Sequence, residues 1–167
     1  MILGMSLALY TQIHVIISLI AIASGLLVAI GMIMARSSGP MTALFLATTV
    51  LTSVTGFFFP FHGVTPGIVV GILSLVVLLL AVIARYGKHL AGGWRGTYVF
   101  TAMFALYLNV FVLVAQCFEH IPSFHVLAPT GTEPPFKIAQ GIVLVLFIVL
   151  TIVANKKFRP TIAGGVL

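Results

Sequence analysis

The sequence predicts an all-α integral membrane bundle of five spanning helices, and three observations predict it. The chain is 61% hydrophobic and only 6% charged, against about 45–50% apolar and about 25% charged in globular domains. Five apolar runs approach or exceed the roughly 20 residues that cross a bilayer. Seven of the eight Lys and Arg residues fall in three places, in alternate connections between those runs. A 167-residue chain has no interior large enough to hide so much apolar surface, so lipid must be its solvent.

The runs are 7–34, 41–59, 66–84, 97–118 and 136–154, and the whole chain reads as one transmembrane domain. The first ends at Arg36-Ser37-Ser38-Gly39-Pro40. Pro60 to Pro66, enclosing His62 and Gly63, reads as a tight hairpin. Tyr86 to Gly96 holds three glycines and three cations. The segment 119–135 carries Pro122, Pro129, Pro134 and Pro135 and is the longest connection. The first run has no basic stretch before it and exceeds a signal core, so it reads as a retained helix.

Charge sets the orientation. Arg36 follows the first run, Arg85, Lys88 and Arg95 surround the second loop, and Lys156, Lys157 and Arg159 close the fifth run. Both acidic residues, Glu119 and Glu133, lie in the alternate connection with the single exception, Lys137. Cytoplasmic loops carry the Lys/Arg excess, which predicts an outside N-terminus and a cytoplasmic C-terminus. Trp94, Tyr86 and Tyr98 are then expected in the inner aromatic belt, and Tyr10, Phe61 and Phe118 in the outer one. The charge of +6 is not a nucleic-acid footprint, because the cations cap apolar runs instead of lining one face.

Polarity sorts the helices. The second run carries Thr48, Thr52 and Thr55 on one face, the fourth carries Asn109 and Gln116, and the first aligns Tyr10, His14 and Ser18. Polar groups at membrane depth need partners, so runs one, two and four are expected to face one another. Runs three and five are expected at the periphery. Gly67 and Gly71 have the small-xxx-small spacing that permits close contact with another helix, in this chain or in another molecule.

Candidate chemistry gathers on the predicted outer side. His14, His62, His120 and Glu119 are the candidate metal ligands, since imidazole and carboxylate together suit Zn, Cu or Fe. His14, Asn109, Gln116 and Gln140 are the candidates for binding a cofactor, either a haem ligated by imidazole or a quinone held by hydrogen bonds. Each has a plainer reading. Loop histidines need no ligand, an intramembrane amide commonly bonds a neighbouring helix, and threonines bond their own helix carbonyls. No fixed ligand spacing supports a metal site.

The absences restrict function further. There is no Asp, neither Glu lies inside a run, and Cys117 is the single cysteine. An intramembrane carboxylate relay is therefore missing, as are the HExxH, GxSxG, phosphate-loop and CxxC patterns. An enzyme is disfavoured, and a small channel or transporter remains open for neutral solutes. The leading expectation is an accessory or interaction subunit whose partners are the bilayer and another membrane protein or a second copy.

Three stretches, TSVTGFFFPF at 52–61, ALYLNVFVL at 105–113 and LAPTGTEPPF at 127–136, resemble an uncharacterised family of small bacterial multi-pass inner-membrane proteins. The resemblance covers under a fifth of the chain. It implies a bacterial inner-membrane location and brings no activity and no site residue. It directs attention to the 127–136 segment, whose prolines are expected to stiffen it into an extended surface.

Overall fold

The computed structural model describes residues 2, 4–36, 38–60, 63 and 65–159. Among them the chain is helical, with no strand beyond an isolated bridge between Ile2 and Met5. The elements are α1 (Leu7–Ile33), α2 (Gly39–Gly56), α3 (Pro66–Val82), α4 (Trp94–His120), α5 (Pro122–His125) and α6 (Pro134–Lys157). A π-helical turn, Ile83–Gly87, continues α3.

Four of these are long and apolar enough to cross a membrane: α1, α3 with its π turn, α4 and α6. This is the architecture of a multi-pass membrane protein. The second run of the sequence, α2, falls short of that measure. It is 18 residues long and holds Thr42, Thr48, Thr49, Thr52, Ser53 and Thr55, whose hydroxyls dilute its hydropathy. Those hydroxyls are largely satisfied within the helix: Thr48 Oγ1 donates to the Leu44 carbonyl at 2.7 Å, Thr49 to Phe45 at 2.8 Å and Ser53 to Thr49 at 3.0 Å.

Helix boundaries depart from the apolar runs for local reasons. α2 stops at Gly56 instead of residue 59, because Phe57 and Phe58 close back by three-residue bonds to Val54 and Thr55 and Pro60 follows. α3 runs past residue 84: the Lys88 N–H reaches Ile83 O at 2.8 Å, and only the positive φ of His89 and Leu90, 48° and 60°, turns the chain. α4 starts at Trp94 and so absorbs the basic loop's Arg95. The 119–135 connection is not extended throughout. Pro122 starts the one-turn helix α5, and Pro134 and Pro135 occupy the first turn of α6, where a missing N–H costs nothing.

The packing centres on α4. α1 and α2 make the most extensive contact, while α3 and α6 both lean on α4 and α2 touches α4 only slightly. All three pairs of α1, α2 and α4 touch, as expected, and the polar bonds fall between α1 and α2 and between α4 and α2. The three-helix crossing closes at Gly25 of α1, where an added Cβ would stand 2.6 Å from Leu106 Cδ1 and 2.7 Å from Phe45 Cε2. Phe45 is completely buried. Gly71 has a similar use inside the chain: a Cβ there would meet Phe57 Cζ at 2.9 Å. The α3 glycine thus seats a ring from the end of α2, and its space is not left for another molecule.

The basic segments converge at one end of the bundle. Arg85 lies over the Tyr98 ring with its Cζ 5.4 Å from the centroid. Tyr98 packs on Phe158 at 6.0 Å, and Arg95 bonds the end of α6. Tyr98, expected in an interfacial belt, is 1% exposed. Its register with Ala102 and Ala105, four and seven residues on, carries it into the core. Tyr10 is likewise buried, at 3% exposed.

Candidate functional site

At the opposite end, Tyr10 and His14 of α1 and Thr55 of α2 build a polar cluster beside the Phe59 ring. The Tyr10 hydroxyl donates to the Thr55 carbonyl at 2.7 Å. This carbonyl belongs to the last turn of α2, where it also accepts the Phe58 N–H at 3.2 Å. One turn along α1, His14 Nδ1 lies 2.8 Å from Thr55 Oγ1. The Phe59 ring meets both edge-on, at 5.2 Å from Tyr10 and 5.1 Å from His14.

This geometry favours one imidazole tautomer. Thr55 Oγ1 has one proton, and it points to the Leu51 carbonyl at 2.7 Å. The threonine oxygen can then only accept from His14, so Nδ1 carries the proton. In neutral imidazole the other nitrogen is the acceptor, which leaves the lone pair on Nε2. A histidine oriented through Nδ1–H, with Nε2 left to bind, is the arrangement that metal-ligating histidines use. Nineteen residues separate His14 from the basic end of α1 at Ile33, about 29 Å of helix. That is close to the roughly 30 Å hydrocarbon thickness, so the two positions lie about one bilayer core apart along the helix.

The remaining candidates find other partners. On α4, Gln116 Nε2 donates to Glu119 Oε2 at a long 3.4 Å, and His120 Nδ1 donates to the Gln116 carbonyl at 3.2 Å. Phe118 packs on Phe124 of α5 and Phe136 of α6 at 5.4 and 5.5 Å. This group is a helix terminus closed by aromatic rings. Asn109 Nδ2 donates to Thr49 Oγ1 at 3.2 Å, so its amide joins α4 to α2. Gln140 is buried, and its Nε2 donates to the Phe111 carbonyl at 3.0 Å, fastening α6 to α4. Its Oε1 is buried without a hydrogen-bond partner.

Among the described residues no group of three or more His, Cys, Asp and Glu is placed to hold a metal ion. His62, one of the four candidate ligands, lies outside the described residues. His14 bonds Thr55, whereas Glu119 and His120 bond within their own helix end. Among the described candidate histidines, only His14 is held by a hydrogen bond across a helix–helix contact.

Two clusters were not legible from residue spacing. Thr55 as a shared partner of Tyr10 and His14 needs the α1–α2 register. The basic end also holds more than membrane anchors: Arg36, Thr42 and Tyr98 share the wall of a cavity of about 260 Å³. The signal for that cavity was Thr42 and Tyr98, each a polar residue one turn inside a helix start. No protein-family model matches the chain, and no curated protein or solved structure matches it.

Proposed function

We propose that the chain is a five-span membrane protein of the bacterial inner membrane and serves as a non-catalytic accessory or interaction subunit. In this reading the basic end is cytoplasmic and α2 is the second span. It packs beside a larger membrane complex or a second copy. The observation that carries the reading is the exposure of α6. That helix buries only Gln140, Phe147 and Ala154, a seam of seven-residue spacing. Its other faces leave Ile138, Ile142 and Val145 each more than 60% exposed.

Extraction of native membranes into polymer-bounded lipid particles tests it. Cysteines introduced at Ile142 and Val149, in a Cys117→Ser background, should crosslink to a co-purifying protein or to a second copy. A monomeric particle without a partner and without crosslinks would sink the proposal.

A second reading is favoured by the His14 tautomer. It takes the Tyr10–His14–Thr55–Phe59 cluster as one side of a haem, quinone or metal site, with Nε2 as the ligating or accepting atom. An absorption spectrum, metal analysis and lipid extraction of the purified protein decide it. A haem band, a bound metal or a co-purified quinone that disappears in His14→Ala supports the site. Absence of all three retires it.

A further inference from the structure

The basic end of the bundle contains a cavity of about 260 Å³ where α1 ends and α2 and α4 begin. Leu27 and Met32 form part of its apolar wall, and Arg36, Ser38, Thr42 and Tyr98 supply polar groups. Three independent features bear on what it holds.

The first is how Arg36 reaches the cavity. α1 ends in a Schellman turn, with the Arg36 N–H bonded to Gly31 O at 2.8 Å and the Ala35 N–H to Met32 O at 3.2 Å. The turn needs a left-handed residue, usually glycine, yet Ala35 holds φ 55°. Gly31 admits the returning chain, since a Cβ there would stand 3.2 Å from the Arg36 carbonyl oxygen. The backbone therefore doubles back and sets Arg36 at the rim.

The second is a buried hydroxyl. Tyr98 is 1% exposed and lines the cavity, flanked by Thr42 and Arg85. Its oxygen completes no hydrogen bond of good geometry, and an unpaired buried polar atom is unfavourable. A ligand oxygen in the cavity would supply the partner.

The third is electrostatic. Both acidic side chains of the protein, Glu119 and Glu133, belong to the opposite end. The cavity also abuts the N-terminus of α2, capped by Ser38 with a bond of 3.4 Å to the Met41 N–H, and helix N-termini favour anions. No carboxylate side chain of this end answers Arg36.

We propose that this cavity binds the phosphate group of an anionic phospholipid from the leaflet at the basic end. The phosphate oxygens accept from Arg36 Nη and from the Tyr98 hydroxyl, and the acyl chains run down the exposed flank of Leu27. The volume fits a headgroup fragment: whole drug-sized ligands occupy about 300–1,000 Å³. Leu27 is 54% exposed, so the apolar wall opens sideways, as an attached acyl chain requires. The same phosphate chemistry could come from a soluble phosphate ester, and the two sources are separable by experiment.

The test uses the full chain in nanodiscs of phosphatidylcholine alone or with phosphatidylglycerol, plus native mass spectrometry in mild detergent. Phosphatidylglycerol should remain bound in preference to phosphatidylcholine. Arg36→Gln and Tyr98→Phe should each weaken its retention about ten-fold, the effect of losing one hydrogen bond to a charged group. Lys88→Gln removes the same unit of charge from the basic end, where Lys88 lies over Trp94 and outside the cavity lining, and should retain wild-type binding, which separates the site from general surface attraction. Inorganic phosphate is the second probe. If it displaces phosphatidylglycerol at millimolar concentration in wild type but not in Arg36→Gln, the phosphate site stands and its source is soluble. Equal retention of both lipids, or unchanged retention in both variants, overturns the proposal. Arg36 is exposed and its substitution leaves the core intact, so a folding defect of Tyr98→Phe alone would not obscure the result.

Discussion

Arg95 Nη1 donates to two carbonyl oxygens, those of Asn155 and Phe158, both at 2.7 Å. The start of α4 thereby caps the end of α6, where the last carbonyls have no intrahelical partners. The contact is close because Gly96 stands beside it: a Cβ there would meet Asn155 Oδ1 at 3.5 Å. A cation that marks topology in the sequence is thus also a clamp between helices. Arg95→Gln should lower stability by about 2 kcal/mol, the scale for bonds to a charged donor. In a thermal unfolding series in one detergent this would read as a midpoint lower by roughly 4–8 °C. Lys at the same position, with a point charge and a shorter reach, should recover only part. An unchanged midpoint in Arg95→Gln would contradict the clamp.

The Gly25 crossing sets a packing limit. Gly25→Ala drives a methyl into Leu106 and the fully buried Phe45 ring, and overpacking of this kind costs about 1–3 kcal/mol. Gly141→Ala is the control, since nothing lies within 4 Å of its added Cβ. Equal stability of the two variants would show that the crossing can expand.

Ala35 offers the opposite sign. A non-glycine residue in the left-handed region costs about 1–2 kcal/mol, and its φ of 55° lies there. Ala35→Gly should therefore stabilise the protein by up to about 1 kcal/mol, less the added freedom of the unfolded chain. Chemical or thermal unfolding of the pair measures it, and a loss of stability would count against the Schellman geometry.

The His14 assignment has a spectroscopic signature. Nitrogen-15 spectra of neutral His14 should show a protonated Nδ1 and a bare Nε2. Thr55→Val removes the accepting oxygen and should shift the population toward Nε2–H. A wild-type spectrum with the proton on Nε2 would refute the hydrogen-bond direction inferred from Thr55 and Leu51.

Glu133, outside the spanning helices, gives a pH dependence. Desolvation raises its carboxyl pKa. The opposing bonds win: the Thr130 hydroxyl and N–H donate at 2.9 and 3.1 Å and the Thr132 N–H at 2.9 Å, and the net shift is downward from 4.5. A lowered carboxylate pKa means the ionised form is favoured by folding. Its contribution is present above the unfolded value near 4.5 and fades as pH falls through the lower folded one. Protection factors of the Thr130 and Thr132 amides, taken against their intrinsic rates, should therefore be high at pH 6 and fall as pH drops through the lowered folded value. Glu133→Gln should flatten that dependence.

The all-helical character, the four long apolar helices and the segregation of basic residues were written in residue chemistry. Lipid demands long apolar helices with internally bonded backbones, and both composition and run length record that demand locally. Element ends were legible where a proline sets them, as at Pro66. They were missed where tertiary contacts or backbone turns decide, as in the π turn after Val82 and the early start of α4 at Trp94. Polar character flagged His14, Asn109 and Gln140, but not their partners. Whether an amide clamps two helices or faces a ligand depends on which residue stands opposite, and that follows from helix register. Asn109 met Thr49, Gln140 met Phe111, and His14 met a threonine whose proton was already engaged. Tyr98 looked interfacial because it sits near a run's end, yet packing on Phe158 placed it in the core beside a cavity. Sequence periodicity reports one helix against its surroundings. The relative rotation and depth of neighbouring helices, fixed here by close contacts such as Gly25 against Phe45, exist only once all of them pack.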